Sequence, residues 1–122
     1  MWAIPATAAL GTLALAIAIA PPKAPAVGQV AFRDAQAIIA ARCSTCHAAR
    51  PRQPGIGSAP KGIMLETPAQ IVANAAAIRQ QAVASRAMPL GNLTQMTDGE
   101  RARLGAWIDA GAMGSGAMGS ER

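Results

Sequence analysis

The chain has 122 residues, which is enough for one domain, and its apolar fraction of 52% depends heavily on alanine, because aromatic residues make up only 2%. A core with so few large side chains buries little area, so a domain of this size usually needs a cofactor, a metal or a disulfide for stability. The formal charge of +5 favours acidic partners, whereas no Lys/Arg-rich run supports a nucleic-acid-binding patch.

Residues 1–20 include an uncharged segment, WAIPATAALGTLALAIAIA. As a helix it would be about 28 Å long, close to the thickness of a bilayer's hydrocarbon core. We therefore expect a membrane helix or signal anchor that leaves the rest of the chain in the periplasm. Two alternatives stay open, a buried soluble helix and a signal peptide cleaved near Ala24–Ala26. The signal peptide lacks the usual basic n-region, which also suggests that this run is the last membrane helix of a longer protein.

Residues 21–29, PPKAPAVGQ, are predicted to form a linker, because three prolines in five residues favour an extended chain. The folded domain is then predicted to cover residues 30–112. Residues 113–122 belong to a stretch that repeats Gly-Ala-Met-Gly-Ser, and this low-complexity composition predicts a flexible tail.

A first helix is predicted from about Val30 to Arg42, directly before the first cysteine. Its apolar residues recur at helical spacing and predict one buried face. These residues are Phe32, Ala35, Ile38 and Ile39.

The segment RCSTCHAARP contains both cysteines and the only histidine of the chain. On a helical turn, Cys43 and Cys46 would both reach the vinyl groups of one haem, and His47 would face the iron from the same side. This is the attachment pattern of a c-type haem. We therefore predict one covalent haem c, bound through both cysteines, with His47 as an iron ligand.

Three other interpretations of this segment are less favoured than a haem site. A thioredoxin-like redox pair normally lies near a βαβ pattern, which the sequence lacks. A structural zinc site needs four ligands, and the chain has only three Cys and His residues in total. Two inert core cysteines are disfavoured, because the segment is polar and flanked by arginines.

A second helix begins at TPAQ, with Thr67 as N-cap, Pro68 at the first helical position and Gln70 placed to complete a capping box. One apolar face follows at helical spacing. It comprises Ile71, Ala75, Ile78, Ala82 and Val83.

A third helix begins at TDGE, with Thr97 as N-cap and Glu100 at the capping-box position, and Gly111 is suited to its C′ position. Its apolar stripe is formed by Leu104, Trp107 and Ile108. No convincing strand is present, and the loops between the helices are long and rich in Pro and Gly. Such loops are usually functional or disordered.

A sixth iron ligand has to come from another residue type, because the single histidine excludes bis-histidine ligation. Methionine is the usual alternative and raises the reduction potential. We favour Met88, because Pro89 biases it toward extended backbone in a loop, with Met96 as the rival. Met64 is expected to pack against the haem edge, and each of the three also fits a role as a flexible core filler. The other methionines lie outside the folded region: Met1, Met113 and Met118.

The motif CSTCH, a later APKG, the loop MPLGN and a final helix ending in WIDAGA together resemble class I c-type cytochromes. The resemblance covers about Val30 to Ala112. It implies an all-α cytochrome c-like fold of about three helices around the haem. It also implies one-electron transfer, with the chain acting as a carrier and not as an enzyme.

Two contacts are implied by the same resemblance. In that family the first and last helices cross beside the haem, and Phe32 and Trp107 would meet at the crossing. A loop proline also supports the haem-binding histidine through its backbone carbonyl. Pro60 is the best match by position, although Pro51 and Pro54 lie nearby.

A narrower resemblance joins APKGIMLETPAQI to AMPLGNLTQMTDGERARLGAWIDAGA. These stretches are similar to the C-terminal cytochrome domain of bacterial membrane-bound urate hydroxylases, whose urate-oxidising part has no counterpart in this sequence. An alternative function is therefore a detached electron-acceptor domain of a larger membrane oxidoreductase, and a haem sensor with an open sixth position is a third. Redox partners are expected to be acidic where they dock. Five basic residues are candidates for steering them: Arg42, Arg50, Arg52, Lys61 and Arg86.

Overall fold

The computed structural model describes residues 30–114, and within this range the chain is helical and contains no strand. Its α-helices are α1 (Phe32–Arg42), α2 (Pro68–Ala73), α3 (Ala75–Ile78) and α4 (Asp98–Asp109). A π-helical turn spans Arg79–Ala84, and short 3₁₀ turns span Pro60–Gly62 and Leu90–Asn92. The all-α prediction is thus confirmed for the described residues.

Helix α1 begins two residues later than predicted. Ala31 occupies the N-cap position with an extended backbone, so the helix starts at Phe32. The alanine side chain has no acceptor for the free N–H groups of the first turn. The predicted buried face is confirmed, since all four of its apolar residues are buried: Phe32, Ala35, Ile38 and Ile39.

The second predicted helix is interrupted at Asn74, whose backbone (φ −102°, ψ 11°) leaves the helical region. The Asn74 side-chain amide donates to the Gln70 carbonyl at 2.8 Å, a local bond that competes with the helical pattern. The chain continues as α3 and then widens into the π-helical turn, which ends with the Ser85 N–H bonded to the Gln80 carbonyl at 3.0 Å. Most of the predicted apolar face is buried despite the break: Ile71, Ala75, Ile78 and Ala82.

Both predicted capping boxes are present. The Thr67 hydroxyl accepts from the Gln70 N–H at 3.2 Å, and the Gln70 side chain accepts from the Thr67 N–H at 3.0 Å. The same pair of bonds joins Thr97 and Glu100, at 3.1 and 2.8 Å. These reciprocal bonds satisfy N–H groups that have no partner inside a helix.

Helix α4 ends as predicted at a glycine. Gly111 has a φ of +113°, which only glycine adopts without strain, and its N–H bonds to the Ile108 carbonyl at 3.0 Å. The Ala112 N–H bonds to the Trp107 carbonyl at 3.1 Å. Together these bonds form a Schellman motif.

The core lies where α1 and the π-helical turn pack against α4. The rings of Phe32 and Trp107 meet with centroids 5.7 Å apart and planes tilted by 49°, so the predicted contact is present. Gly105 of α4 faces the π-helical turn, and a Cβ there would lie 3.1 Å from Val83 Cγ1. Even an alanine at this position would require the Val83 side chain to shift by a few tenths of an ångström.

The predicted N-terminal elements, residues 1–20 and 21–29, lie outside the described residues. Within residues 30–114, no helix combines the length and apolar character needed to cross a bilayer. Most of the predicted tail, residues 113–122, is also outside this range. Its first residue is attached to α4, because the Trp107 indole N–H donates to the Met113 carbonyl at 3.1 Å.

Candidate functional site

The Cys-x-x-Cys-His segment forms a single turn at the end of α1. The Cys43 N–H bonds to the Ile39 carbonyl at 2.8 Å, and the His47 N–H bonds to the Cys43 carbonyl at 3.0 Å. Cys43, Cys46 and His47 are all half-buried, and the two thiols are not joined as a disulfide. The structure therefore brings the three predicted residues together on one turn, with both cysteines present as free thiols.

The imidazole of His47 has a defined orientation and tautomer. Its Nδ1 lies 2.9 Å from the Ile63 carbonyl oxygen. A carbonyl can only accept, so Nδ1 carries a proton, and in the neutral imidazole the lone pair then lies on Nε2. Among residues 30–114, the structure shows no hydrogen bond to Nε2. Metal-binding histidines are typically held in this way.

The prediction that Pro60 supplies the supporting carbonyl is wrong. The Pro60 carbonyl accepts instead from the Ile63 N–H at 3.0 Å, inside the turn that Pro60 begins. Lys61 and Gly62 have φ values of 55° and 69°, which turn the chain and leave the Ile63 carbonyl directed at His47. Pro60 therefore begins the turn that positions the Ile63 carbonyl, and its own carbonyl is not the acceptor for His47 Nδ1.

Further bonds fix the turn that holds Cys43, Cys46 and His47 to the loop that follows it. The Ser44 hydroxyl donates to the Leu65 carbonyl at 2.7 Å, and the Leu65 N–H donates to the His47 carbonyl at 2.8 Å. On the other side, the Arg52 N–H bonds to the Thr45 carbonyl at 2.8 Å. The long loop, which the sequence predicted to be functional or disordered, is thus hydrogen-bonded to the motif at both ends.

The raised pKa of the Cys43 thiol disfavours a dithiol redox site. Burial raises the pKa of its thiol to about 11, although the nearby charge of Arg101 acts in the opposite direction. Cys43 also lies at the C-terminal end of α1, where the helix dipole disfavours a thiolate. Redox-active cysteines depend on the thiolate, whereas a thioether is neutral and suits a half-buried position.

A zinc site is also disfavoured by the positions of the side chains. Within the described range, no group of three Cys, His, Asp or Glu side chains is arranged to hold a metal ion. The residues present do fit a haem, because the porphyrin supplies its own nitrogen ligands to the iron. The turn would then need to provide only one imidazole for the iron and two thiols for covalent attachment.

No protein-family model, curated protein or solved structure matches this chain. The resemblances to class I cytochromes and to the cytochrome domain of urate hydroxylases therefore stay predictions from the motifs. The geometry of the site is the remaining basis for a functional interpretation.

The backbone of Met88 is fixed on both sides. Its N–H bonds to the Gln81 carbonyl at 2.9 Å, and its carbonyl accepts from Arg101 Nη1 at 2.8 Å. The Met88 side chain is half-buried, as is that of Met64, whereas Met96 is only 3% exposed and belongs to the hydrophobic core. Met96 therefore packs in the core, and Met88 stays the preferred candidate for an iron ligand.

Arg101 is a residue of the site that the sequence prediction missed. It is only 6% exposed, and its guanidinium donates to the carbonyls of Ala82 and Met88 and, at 3.4 Å, to Asn92 Oδ1. The signal in the sequence was its register, because Arg101 lies three residues before Leu104 on the apolar stripe of α4.

The predicted steering charges divide into two groups. Arg42 forms an ion pair with Glu100, with Nη2 and Oε1 3.0 Å apart, and Arg86 pairs with Asp98. Their charges are thus balanced locally. The remaining three are exposed, lie in the loop after the motif and have no ion pair within residues 30–114: Arg50, Arg52 and Lys61.

The Arg42–Glu100 pair predicts a pH-dependent contribution to stability. Hydrogen bonds from Arg42 hold the pKa of Glu100 below its ordinary value of 4.5. A depressed carboxyl pKa stabilises the fold above that value, and the contribution disappears as the pH falls through the folded-state pKa. We expect Glu100→Gln to lose up to about 1 kcal/mol at neutral pH and little in acid, as measured by urea unfolding across this range.

Glutamine is the informative replacement, because Gln70 performs the same capping role in α2 and the cap should survive. Asp109→Asn is the control, since the Arg79–Asp109 pair is exposed on both sides and should contribute less than about 0.5 kcal/mol. A loss for Glu100→Gln that stays constant from neutral to acid pH would contradict the assignment of the effect to charge.

Proposed function

We propose that this chain is a monohaem c-type cytochrome that carries single electrons. Its all-α domain would have the cytochrome c-like arrangement, with Cys43 and Cys46 joined to the haem and with His47 and Met88 as the two axial ligands. When bound, the haem supplies reversible one-electron chemistry at a potential that the axial ligands set.

The observation that carries this proposal is the hydrogen bond between His47 Nδ1 and the Ile63 carbonyl at 2.9 Å. It fixes the tautomer that a ligating imidazole needs and sets the angle of the ring. The cysteines one turn away add the tether, because Cys43, Cys46 and His47 share the same turn of chain. A redox dithiol or a structural histidine would need only part of this arrangement.

In this proposal the protein carries electrons and does not act as an enzyme. If His47 and Met88 both hold the haem iron, they would leave no coordination position for a substrate. Electrons would pass to and from partner proteins. The exposed basic loop supports an acidic docking face on those partners through Arg50, Arg52 and Lys61.

The apolar run in residues 1–20 supports a location at the inner membrane, with the haem domain in the periplasm. Cleavage of this run would give a soluble periplasmic carrier instead. The second candidate function, an electron-acceptor domain of a larger urate hydroxylase-like enzyme, is supported by the two sequence stretches that resemble that domain and uses the same haem chemistry.

A haem-stained denaturing gel of native membranes tests the proposal, with the band identified by peptides of this chain. Thioether-bound haem survives denaturation, so we expect a stained band. A band near the mass of the chain supports the free-standing carrier, and one several times heavier supports the domain of an enzyme. An unstained band would overturn the haem assignment.

A second measurement separates the carrier from a sensor. A methionine-ligated ferrous haem resists carbon monoxide, so we expect the ferrous spectrum to stay unchanged when the gas is added. A rapid and complete shift would mean an open sixth position and would favour the sensor.

A further inference from the structure

Arg101 is the only charged residue among the buried side chains of residues 30–114. An arginine stays protonated in proteins, and a buried charge is costly unless other groups compensate it. The ion pairs within this range involve other arginines, so Arg101 has no carboxylate partner there. Its charge is compensated by uncharged acceptors instead. A residue that served only to pack the core would not need a charged side chain with several specific hydrogen bonds.

Those acceptors all belong to one stretch of chain, which runs from the π-helical turn to the 3₁₀ turn that precedes α4. Nη1 donates to the carbonyls of Ala82 and Met88, and Nη2 donates to Asn92 Oδ1. The guanidinium therefore connects the end of the turn, the Met88 backbone and the 3₁₀ turn beyond it to a single point on α4.

Asn92 extends this network to the start of α4. Its Oδ1 accepts from the Met96 N–H at 2.9 Å, and its Nδ2 donates to the Met96 carbonyl at 3.2 Å. Met96 is anchored in the core, so the stretch is fixed at both ends. The side chains between Ser85 and Gln95 are mostly exposed, and polar bonds therefore have to supply the order that apolar packing does not.

We propose that Arg101 is the positioning residue for the sixth iron ligand: its planar guanidinium holds the Met88 backbone where the thioether can reach the iron. This inference rests on the proposed ligation by Met88. Lysine cannot replace Arg101 in this role, because an ammonium group lacks the rigid fork that serves three acceptors at once.

The test compares Arg101→Lys with wild type as the haem-loaded protein, well below the melting temperature. Two readouts report ligation: the near-infrared charge-transfer band of ferric haem with a methionine ligand, and the affinity for added imidazole, which has to displace Met88. We expect a weaker band and imidazole binding about tenfold tighter, because a hydrogen bond from a charged group is lost. A purely structural role would lower the melting temperature without changing the imidazole affinity.

Arg103→Lys is the matched control, since Arg103 is exposed on the same helix and, among residues 30–114, its guanidinium bonds to the Gly99 carbonyl alone. Its imidazole affinity should stay within about twofold of wild type. Should Arg101→Lys fail to fold, Asn92→Ala keeps the guanidinium and its bonds to the carbonyls of Ala82 and Met88, and it removes the third acceptor together with the bonds to Met96. The imidazole affinity is then expected to increase about threefold.

The outcomes separate this inference from the proposed function. If wild type shows the methionine band and Met88→Ala abolishes it, the ligand assignment stands. Unchanged imidazole affinity in both Arg101→Lys and Asn92→Ala would then overturn the role of Arg101 alone. A wild-type protein without a methionine band would overturn the role of Arg101 together with the assignment of Met88.

Discussion

Replacing both cysteines, Cys43→Ala with Cys46→Ala, should remove the haem stain completely from the denatured chain. The two sulfurs lie on the turn that also holds His47, and they are the only thiols of the sequence. Each single variant should keep a reduced stain through one remaining thioether. Haem staining and intact mass, measured on denatured protein, check both expectations.

Thr45→Ala is the control for this experiment, because Thr45 lies between the cysteines and contributes its backbone carbonyl to the loop. That variant should stain as strongly as wild type. In the wild-type holo-protein, thiol reagents should find no reactive sulfur, since thioethers do not react with them. A double variant that keeps its haem stain would contradict the assignment of Cys43 and Cys46 as the attachment site. Two reactive thiols in the wild-type chain would favour the dithiol interpretation.

The sequence was most informative where a structure depends on neighbouring residues. Thr67 and Gln70 are three positions apart, as are Thr97 and Glu100, and both capping boxes formed as predicted. The Schellman end at Gly111 is equally local. Such features need only a short stretch of chain and are therefore visible before any tertiary contact is known.

The break at Asn74 was missed because two local preferences compete there. The apolar spacing favours one continuous helix, and the asparagine side chain offers the Gln70 carbonyl a second donor. The buried face was nevertheless predicted correctly from Ile71 to Ala82. Periodicity reports which side of a helix is buried, and it says less about small interruptions in the backbone.

The partner of His47 could not be identified from residue types. Every residue offers a backbone carbonyl, so the choice between Pro60 and Ile63 depends on how the intervening turn directs the chain. That turn uses positive φ values at Lys61 and Gly62, and only the glycine signals such a conformation in the sequence. Arg42 is a similar case, because its carboxylate partner Glu100 is 58 positions away.

Met88→Ala and Met96→Ala should give opposite phenotypes. Met88 is half-buried in a loop, so its removal should abolish the methionine charge-transfer band and open the iron to carbon monoxide and imidazole. Met96 is 3% exposed in the core, so its removal should cost about 2–4 kcal/mol of unfolding free energy and leave the band in place. Visible and near-infrared spectra, with urea unfolding of the same samples, measure both quantities.

The crossed design is decisive because each variant controls for the other. Destabilisation alone cannot mimic the result for Met88, since the larger stability loss is expected in the variant that keeps the band. Met64→Ala completes the series, because Met64 is also half-buried and should change the band little. A band that disappears in Met96→Ala and survives in Met88→Ala would move the sixth ligand to Met96. In that case the polar network around the Met88 carbonyl would be an element of the fold rather than of the iron site.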